Sequence, residues 1–145
     1  MVYAFFGAMG VVFVFCCSGM HLPMWNAKGR LSAHMMRDLN LPLPANAKVT
    51  DAVSVASRDP EEYYAIALPS AEVGAFMAKV RSASRKPEDL NPARSWYMGR
   101  APSWWPPTGW ANGSGFQALH HDELGGWTWL YSESAGVLYV FWFRT

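Results

Sequence analysis

Hydrophobic and polar positions along the chain change their period several times, and each change predicts a different element. The segment KVTDAVSVAS, which begins at Lys48, is rich in β-branched residues, and YYAIAL follows it after the turn-like RDPEE. Such segments are typical of two strands joined in a hairpin. Three further segments, FQALHH, WTWLYSE and VLYVFWFRT, are separated by DELGG and SAG. They predict a three-stranded antiparallel meander at the C-terminal end.

A helical period occurs between these two groups of strands. PSAEVGAFMAKVRSAS places apolar residues at i, i+3, i+4 and i+7, and Pro69 and Ser70 are suitable for its start; the apolar positions are Val73, Phe76, Met77 and Val80. The segment therefore predicts the main helix. LSAHMMRDL has a weaker pattern of i, i+4 and i+8, which indicates a possible short helix within a linker over 21–43. Its apolar positions are Leu31, Met35 and Leu39.

The final strand is apolar on both faces, because Val137, Tyr139, Phe141 and Phe143 alternate with Leu138, Val140 and Trp142. We therefore expect it to be central in the sheet. The fold class predicted is α+β, with an antiparallel sheet of about five strands. One main helix packs on one face, and a Trp/Pro-rich loop covers the other. The domains expected are 1–20 as signal peptide or membrane anchor, 21–43 as linker, and 44–145 as a single α+β domain.

The Trp/Pro-rich loop contains PSWWPPTGW, residues 102–110, and allows two interpretations. As a binding platform, Trp104, Trp105 and Trp110 would stack on sugar rings or accept proline-rich or cationic partners. As a cover, the rigid Pro106 and Pro107 would hold the indoles against a sheet face. We favour the cover, and Trp110 is then the best candidate for an exposed ligand-binding indole, because it precedes the flexible ANGSG.

The apolar segment 1–20 carries no charged side chain, and the first charge in the chain is Lys28. Its strongly apolar part is shorter than the ~20 residues of a transmembrane helix and fits the core of a signal peptide better, although no basic residue precedes it. Cys16 and Cys17 at its end indicate possible lipidation of the kind found in bacterial lipoproteins. A plain signal or uncleaved anchor and a buried N-terminal helix are the alternatives.

Charge and titratable residues narrow the possible functions. The chain has 145 residues, 12 basic and 11 acidic side chains and a net charge of +1, so it lacks the positive field of a nucleic-acid-binding protein. HHDE at residues 120–123 has metal-ligand chemistry, but adjacent residues on a strand point to opposite faces, which favours a polar hairpin end. Methionines and histidines near residues 20–36 are possible soft ligands for copper and are also common packing residues.

No nucleophile motif occurs, and the acidic pairs Glu61–Glu62 and Glu88–Asp89 are interpreted as solvated turns. We therefore expect no catalytic residue, no metal and no cofactor.

Several short motifs resemble those of small exported bacterial proteins of the lipoprotein type. They are LPxxA at Leu43 to Ala47, WWxP at Trp104 to Pro107, and GVxY at Gly136 to Tyr139. The resemblance implies export and an α+β domain and transfers no catalytic residue. We expect an exported bacterial protein, periplasmic or anchored by its N-terminal segment, that acts through protein or envelope contacts, with an envelope protein or a glycan as partner. A module that binds glycans or peptides through the tryptophans is the first alternative, and an enzyme is the second.

Overall fold

The computed structural model describes residues 21–55, 58–90, 101–106, 114–120 and 124–145. Within these residues, seven strands and two helices follow one another in the order β1, α1, β2, β3, α2, β4, β5, β6, β7. The strands are β1 (His21–Pro23), β2 (Lys48–Val55), β3 (Glu61–Ala67), β4 (Arg85–Asp89), β5 (Ser114–Leu119), β6 (Gly125–Ser132) and β7 (Val137–Arg144). The helices are α1 (Ala27–Leu39) and α2 (Ser70–Ala83). These elements are of the predicted α+β class.

All seven strands form one antiparallel sheet in the order β1-β2-β3-β7-β6-β5-β4. The predicted hairpin is β2 with β3, and the predicted meander is β5 with β6 and β7. β7 occupies the centre, where its alternate residues are buried on both faces. Apolar residues on both faces of β7 favour this position because only a central strand is covered on both sides.

The expected strand number of about five is too low, because two edge strands lack an apolar alternation. β4 has the sequence RKPED, with four charged side chains and a proline, and β1 has only three residues, including Pro23. Charge and proline are typical of edge strands, where they discourage pairing with another chain. For the same reason, a pattern of hydrophobic residues does not predict such strands. The interpretation of Glu88 and Asp89 as a turn is wrong for this reason, although both side chains are exposed.

Both helices lie on one face of the sheet, which we call the helix face. Its core is formed by buried residues of α1 and α2 together with alternate residues of β3, β5, β6 and β7. α1 contributes Leu31, Met35 and Leu39, the three positions predicted from spacing. The segment expected to be a linker is thus part of the core, because an apolar helical stripe gains free energy only when a surface covers it. Asn40 caps the C-terminus of α1, and its left-handed conformation (φ 49°) is typical of helix C-termini.

A second and smaller core lies on the opposite face of the sheet, which we call the second face. Its buried members are Val53, Val55, Tyr63, Leu90, Trp105, Leu130 and Phe141. Trp105 is the largest contribution from outside the strands, and its ring meets those of Tyr63 and Tyr139 edge to face. The turn that carries it is closed by a hydrogen bond from the Trp105 amide to the Pro102 carbonyl, 2.9 Å long. The remainder of the Trp/Pro-rich loop, residues 107–113, lies outside the described residues.

Candidate functional site

A buried carboxylate on β3 lies at the centre of a polar cluster between α1 and the sheet. Glu62 is 1% exposed and accepts hydrogen bonds from Arg30, from the hydroxyl of Tyr64, and from Nε2 of His34 at 2.8 Å. Arg30 and His34 are one helical turn apart, so both reach the same point of the strand below. Sequence analysis placed Glu62 in a solvated turn, which is wrong. Glu62, Tyr64 and Ile66 are alternate residues of one strand, so their side chains lie on the same face of the sheet. This alternation could have indicated from the sequence that Glu62 faces the core.

Burial raises the pKa of Glu62, but the hydrogen bonds from His34 and Tyr64 and the charge of Arg30 outweigh it, so the pKa lies below its usual value. Burial and the negative charge of Glu62 raise the pKa of Tyr64 far above that of a free phenol. The tyrosine therefore keeps its proton and donates a hydrogen bond to a carboxylate that stays ionised. The arrangement holds a negative charge inside the protein with several donors around it.

A second buried carboxylate, that of Asp38, lies on α1 one helical turn after His34. Asp38 accepts a 3.0 Å hydrogen bond from Nε1 of Trp142 on β7 and a further one from Arg37, and Nε2 of His120 lies 3.5 Å away. Burial raises the pKa of Asp38. The hydrogen bonds from Arg37 and Trp142 and the charges of His120 and Arg37 lower it by more, so the pKa lies below its usual value. Trp142 stacks on His34 with ring centroids 3.9 Å apart, so the two carboxylates belong to one continuous cluster.

His120 is the only residue of HHDE that the structure describes, and residues 121–123 lie outside the described ranges. It directly follows β5 at the turn end of the β5–β6 pair, where a polar hairpin end was expected, and it is buried, 2% exposed. The side chain continues the alternation of Phe116 and Ala118 on the helix face. Within the described ranges, no group of three or more His, Cys, Asp or Glu side chains is arranged to hold a metal ion.

The methionines considered as copper ligands are dispersed. Met35 is fully buried in the helix-face core, Met36 is 45% exposed on the other side of α1, and Met24 packs against the core from outside. The position of Met20 and the side chain of His21 lie outside the described residues. The spacing of the described members is therefore that of an amphipathic helix.

The polar residues around the two carboxylates form what we call the α1 cluster, which consists of Arg30, His34, Asp38, Glu62 and Trp142. They include the residue types of acid–base chemistry, but their polar atoms are hydrogen-bonded to one another. Nε2 of His34 donates to Glu62 while Nδ1 accepts a 3.1 Å hydrogen bond from Arg37, so both ring nitrogens are engaged. A general base needs a free lone pair directed at a substrate. The α1 cluster is better suited to fixing the helix on the sheet than to proton transfer.

A cavity of about 450 Å³ opens on the second face of the sheet. Its apolar lining includes Leu119 of β5 and the rings of Phe141 and Phe143, which stack with centroids 5.4 Å apart. Gln117 and Thr128 add polar groups to the lining. The volume lies within the range of about 300–1,000 Å³ that is usual for small-molecule sites, and an apolar lining with a few polar groups is also typical of them.

The rim of this cavity is mainly acidic. Asp59, Glu61 and Glu88 line it with a single basic residue, Lys86. Glu88 is positioned by a 3.1 Å hydrogen bond from Nε2 of Gln117, which lies on the neighbouring strand. Acidic side chains at the mouth of an apolar cavity favour a ligand with a positive charge at one end.

The three tryptophans expected to bind a ligand are placed differently. Trp105 is 2% exposed in the second-face core, so its ring is covered and is not available for stacking on a ligand in this arrangement. Trp104 is half-buried against the same core, with its ring centroid 6.5 Å from that of Trp105. Trp110 lies outside the described residues, as do Cys16 and Cys17. Among the residues that the structure describes, neither helix has the length and apolar composition needed to cross a membrane.

Comparisons with protein-family models, with curated proteins and with solved structures produced no match. The function proposed below is therefore argued from the residues themselves.

Proposed function

We propose that the chain is a domain tethered to a membrane that acts by binding, and that its binding site is the second-face cavity. The observation that carries the proposal is the cavity of about 450 Å³ with an apolar interior and an acidic rim. An apolar body would contact Leu119 and the stacked rings of Phe141 and Phe143. A cationic group would lie near the carboxylates of the rim and over an aromatic face, where a cation is attracted by the ring quadrupole. The expected ligand class is a cationic amphiphile of small size.

A dye displacement experiment tests this site. Nile red, a neutral apolar dye, is expected to bind the full chain and to be displaced by a short alkyltrimethylammonium ion. An alkyl sulfate of the same chain length is expected to displace it less, because the acidic rim repels the sulfate.

Two variants separate the cavity from other apolar regions of the chain. Leu119→Trp fills the cavity and is expected to remove the displaceable component of dye binding. Ala75→Trp adds the same indole at an exposed position of α2 and is expected to leave that component unchanged. Equal dye binding by Leu119→Trp and the unmodified chain would contradict the proposed site.

Tethering is supported by the apolar and uncharged segment 1–20, with Cys16 and Cys17 near its end. Mass spectrometry of the membrane fraction of a bacterial expression host tests it. Acylation of either cysteine, or an intact Met1 in the membrane fraction, is the expected result. Recovery of the chain entirely in the soluble fraction would exclude a tether.

A glycan or a peptide held by the tryptophans is a second candidate, and the half-buried Trp104 beside Trp105 is the observation that favours it. Titration with glycans, peptidoglycan fragments or proline-rich peptides would then shift the tryptophan fluorescence. The shift is expected to disappear in Trp104→Ala, and no shift across the panel would eliminate this candidate.

A further inference from the structure

One tryptophan is directed into solvent although both neighbouring segments are ordered. Trp25 is 93% exposed, whereas the other tryptophans that the structure describes are buried or half-buried. Pro23 is paired with Val53 in the sheet, and the Asn26 carbonyl accepts a 3.0 Å hydrogen bond from the amide of Arg30. The indole thus faces solvent between a backbone segment paired in the sheet and the first turn of α1.

The residues around Trp25 alternate between the core and the outside. Met24 packs against the helix-face core, while Leu22 is 43% exposed on the edge strand β1. Water contact with a large apolar side chain is unfavourable by about 25 cal/mol for each Å². Each of these two exposed side chains therefore gains free energy when something covers it.

The order of residue types along this part of the chain matches the layers of a lipid bilayer. The apolar segment 1–20 comes first, Trp25 follows five residues after it, and the basic Lys28 and Arg30 come next. Tryptophan is enriched where hydrocarbon meets the headgroups, and basic residues near the surface are attracted to anionic lipids. Five residues span at most about 18 Å, so Trp25 can reach the headgroup region when residues 1–20 are inserted.

The exposed charges of this part of the chain are basic, because the acidic partners of Arg30 and Arg37, Glu62 and Asp38, are buried. Residues 1–37 contain Lys28, Arg30 and Arg37 and no acidic residue. Lys28 is exposed, and the side chain of Arg30 is 51% exposed although it also contacts Glu62. An anionic lipid surface is the partner that this combination of exposed apolar and basic side chains fits best.

We infer that the segment 22–28, which exposes Leu22, Trp25 and Lys28 and which we call the β1 edge surface, lies on an anionic membrane with the indole of Trp25 between the headgroups. This inference rests on the proposed tether and is independent of the second-face cavity. It assigns the domain a fixed orientation on the membrane, with the β1 edge of the sheet next to the lipid.

Fluorescence of the full chain in lipid nanodiscs that contain phosphatidylserine tests the inference. The emission of Trp25 is obtained as the difference between the unmodified chain and Trp25→Phe. This difference spectrum is expected to be shifted to shorter wavelength than that of an exposed indole. It is also expected to be quenched by lipids brominated near the headgroup and protected from acrylamide in the aqueous phase.

A matched control places an indole at the opposite end of the strands. Ser134 lies in the exposed turn between β6 and β7, so the tryptophan of Ser134→Trp, in the Trp25→Phe background, is expected to be quenched by acrylamide and not by the brominated lipid.

The outcomes separate the inference from the tether. Failure of the full chain to float with the nanodiscs would remove the tether and the inference together. Flotation with Trp25 accessible to acrylamide would overturn the inference alone. Protection from acrylamide without quenching by the brominated lipid would indicate a protein contact and would also overturn it.

Discussion

The two faces of the sheet are covered in different ways: two helices cover one face, and a smaller core with a cavity beside it covers the other. Two helices cover the helix face, and the polar side chains beneath α1 are hydrogen-bonded to one another around Glu62 and Asp38. The second face has a smaller core around Trp105, and a cavity opens on the same face. Polar groups that are satisfied internally have little capacity left for a ligand. An apolar cavity instead offers a ligand apolar surface to cover.

The largest expected effect is at Trp105, which supplies most of the ring contacts of the second-face core. Trp105→Ala removes a buried indole and is expected to lower the free energy of unfolding by about 3–5 kcal/mol. Trp104→Ala, whose ring is half-buried, is the matched control and is expected to cost less than half as much. Urea unfolding followed by circular dichroism gives both values. Similar losses for the two variants would show that the second face does not depend on Trp105.

The next effect concerns the α1 cluster. Glu62→Gln removes the charge that Arg30 and His34 surround, and we expect a loss of about 2–3 kcal/mol, limited by the partial exposure of Arg30. Glu133→Gln, in the exposed turn after β6, is the control and is expected to change stability by less than about 0.5 kcal/mol. A Glu62→Gln variant as stable as the unmodified chain would mean that the α1 cluster does not fix the helix on the sheet.

Acid should destabilise the helix face through the same two carboxylates. The pKa values of Glu62 and Asp38 are lower in the folded chain than in the unfolded chain. The unfolded state therefore takes up protons first, and their contribution to stability, complete above about pH 5, is lost as the pH falls through the folded pKa values. Urea unfolding between pH 7 and pH 3 measures the slope. Glu62→Gln is expected to have a shallower slope, and an unchanged slope would assign the acid sensitivity to other groups.

The smallest changes in stability are expected at two glycines, one in an open position and one in a crowded position. Nothing lies within 4 Å of a side chain added at Gly74 on the outer side of α2, so Gly74→Ala is expected to stabilise the chain by about 1 kcal/mol. At Gly115 on β5 the added carbon would lie 2.5 Å from the carbonyl oxygen of Trp129, so Gly115→Ala is expected to destabilise. Thermal unfolding measures both. Changes of the same sign would contradict the described packing.

Elements with a regular apolar period were predictable, whereas elements without one were not. The i, i+3, i+4 and i+7 spacing predicted α2, and its four apolar residues are buried as expected. β7 was predicted as central because it is apolar on both faces, and β3 and β6 flank it. The edge strands β1 and β4 have no such period. Their extended conformation is stabilised by pairing with β2 and β5, which sequence patterns do not reveal.

The chain by itself determined the class of the fold, the main helix and the hairpin and meander, because these follow from local alternation of apolar and polar residues. The tertiary structure decided where the polar side chains are. Asp38 and Trp142 are 104 residues apart and Arg30 and Glu62 are 32 apart, so only the packing of α1 on the sheet brings them together. A carboxylate is stable inside a protein only when donors surround it, and those donors come from distant elements. The cavity of the second face is likewise a product of packing, because its lining comes from several strands.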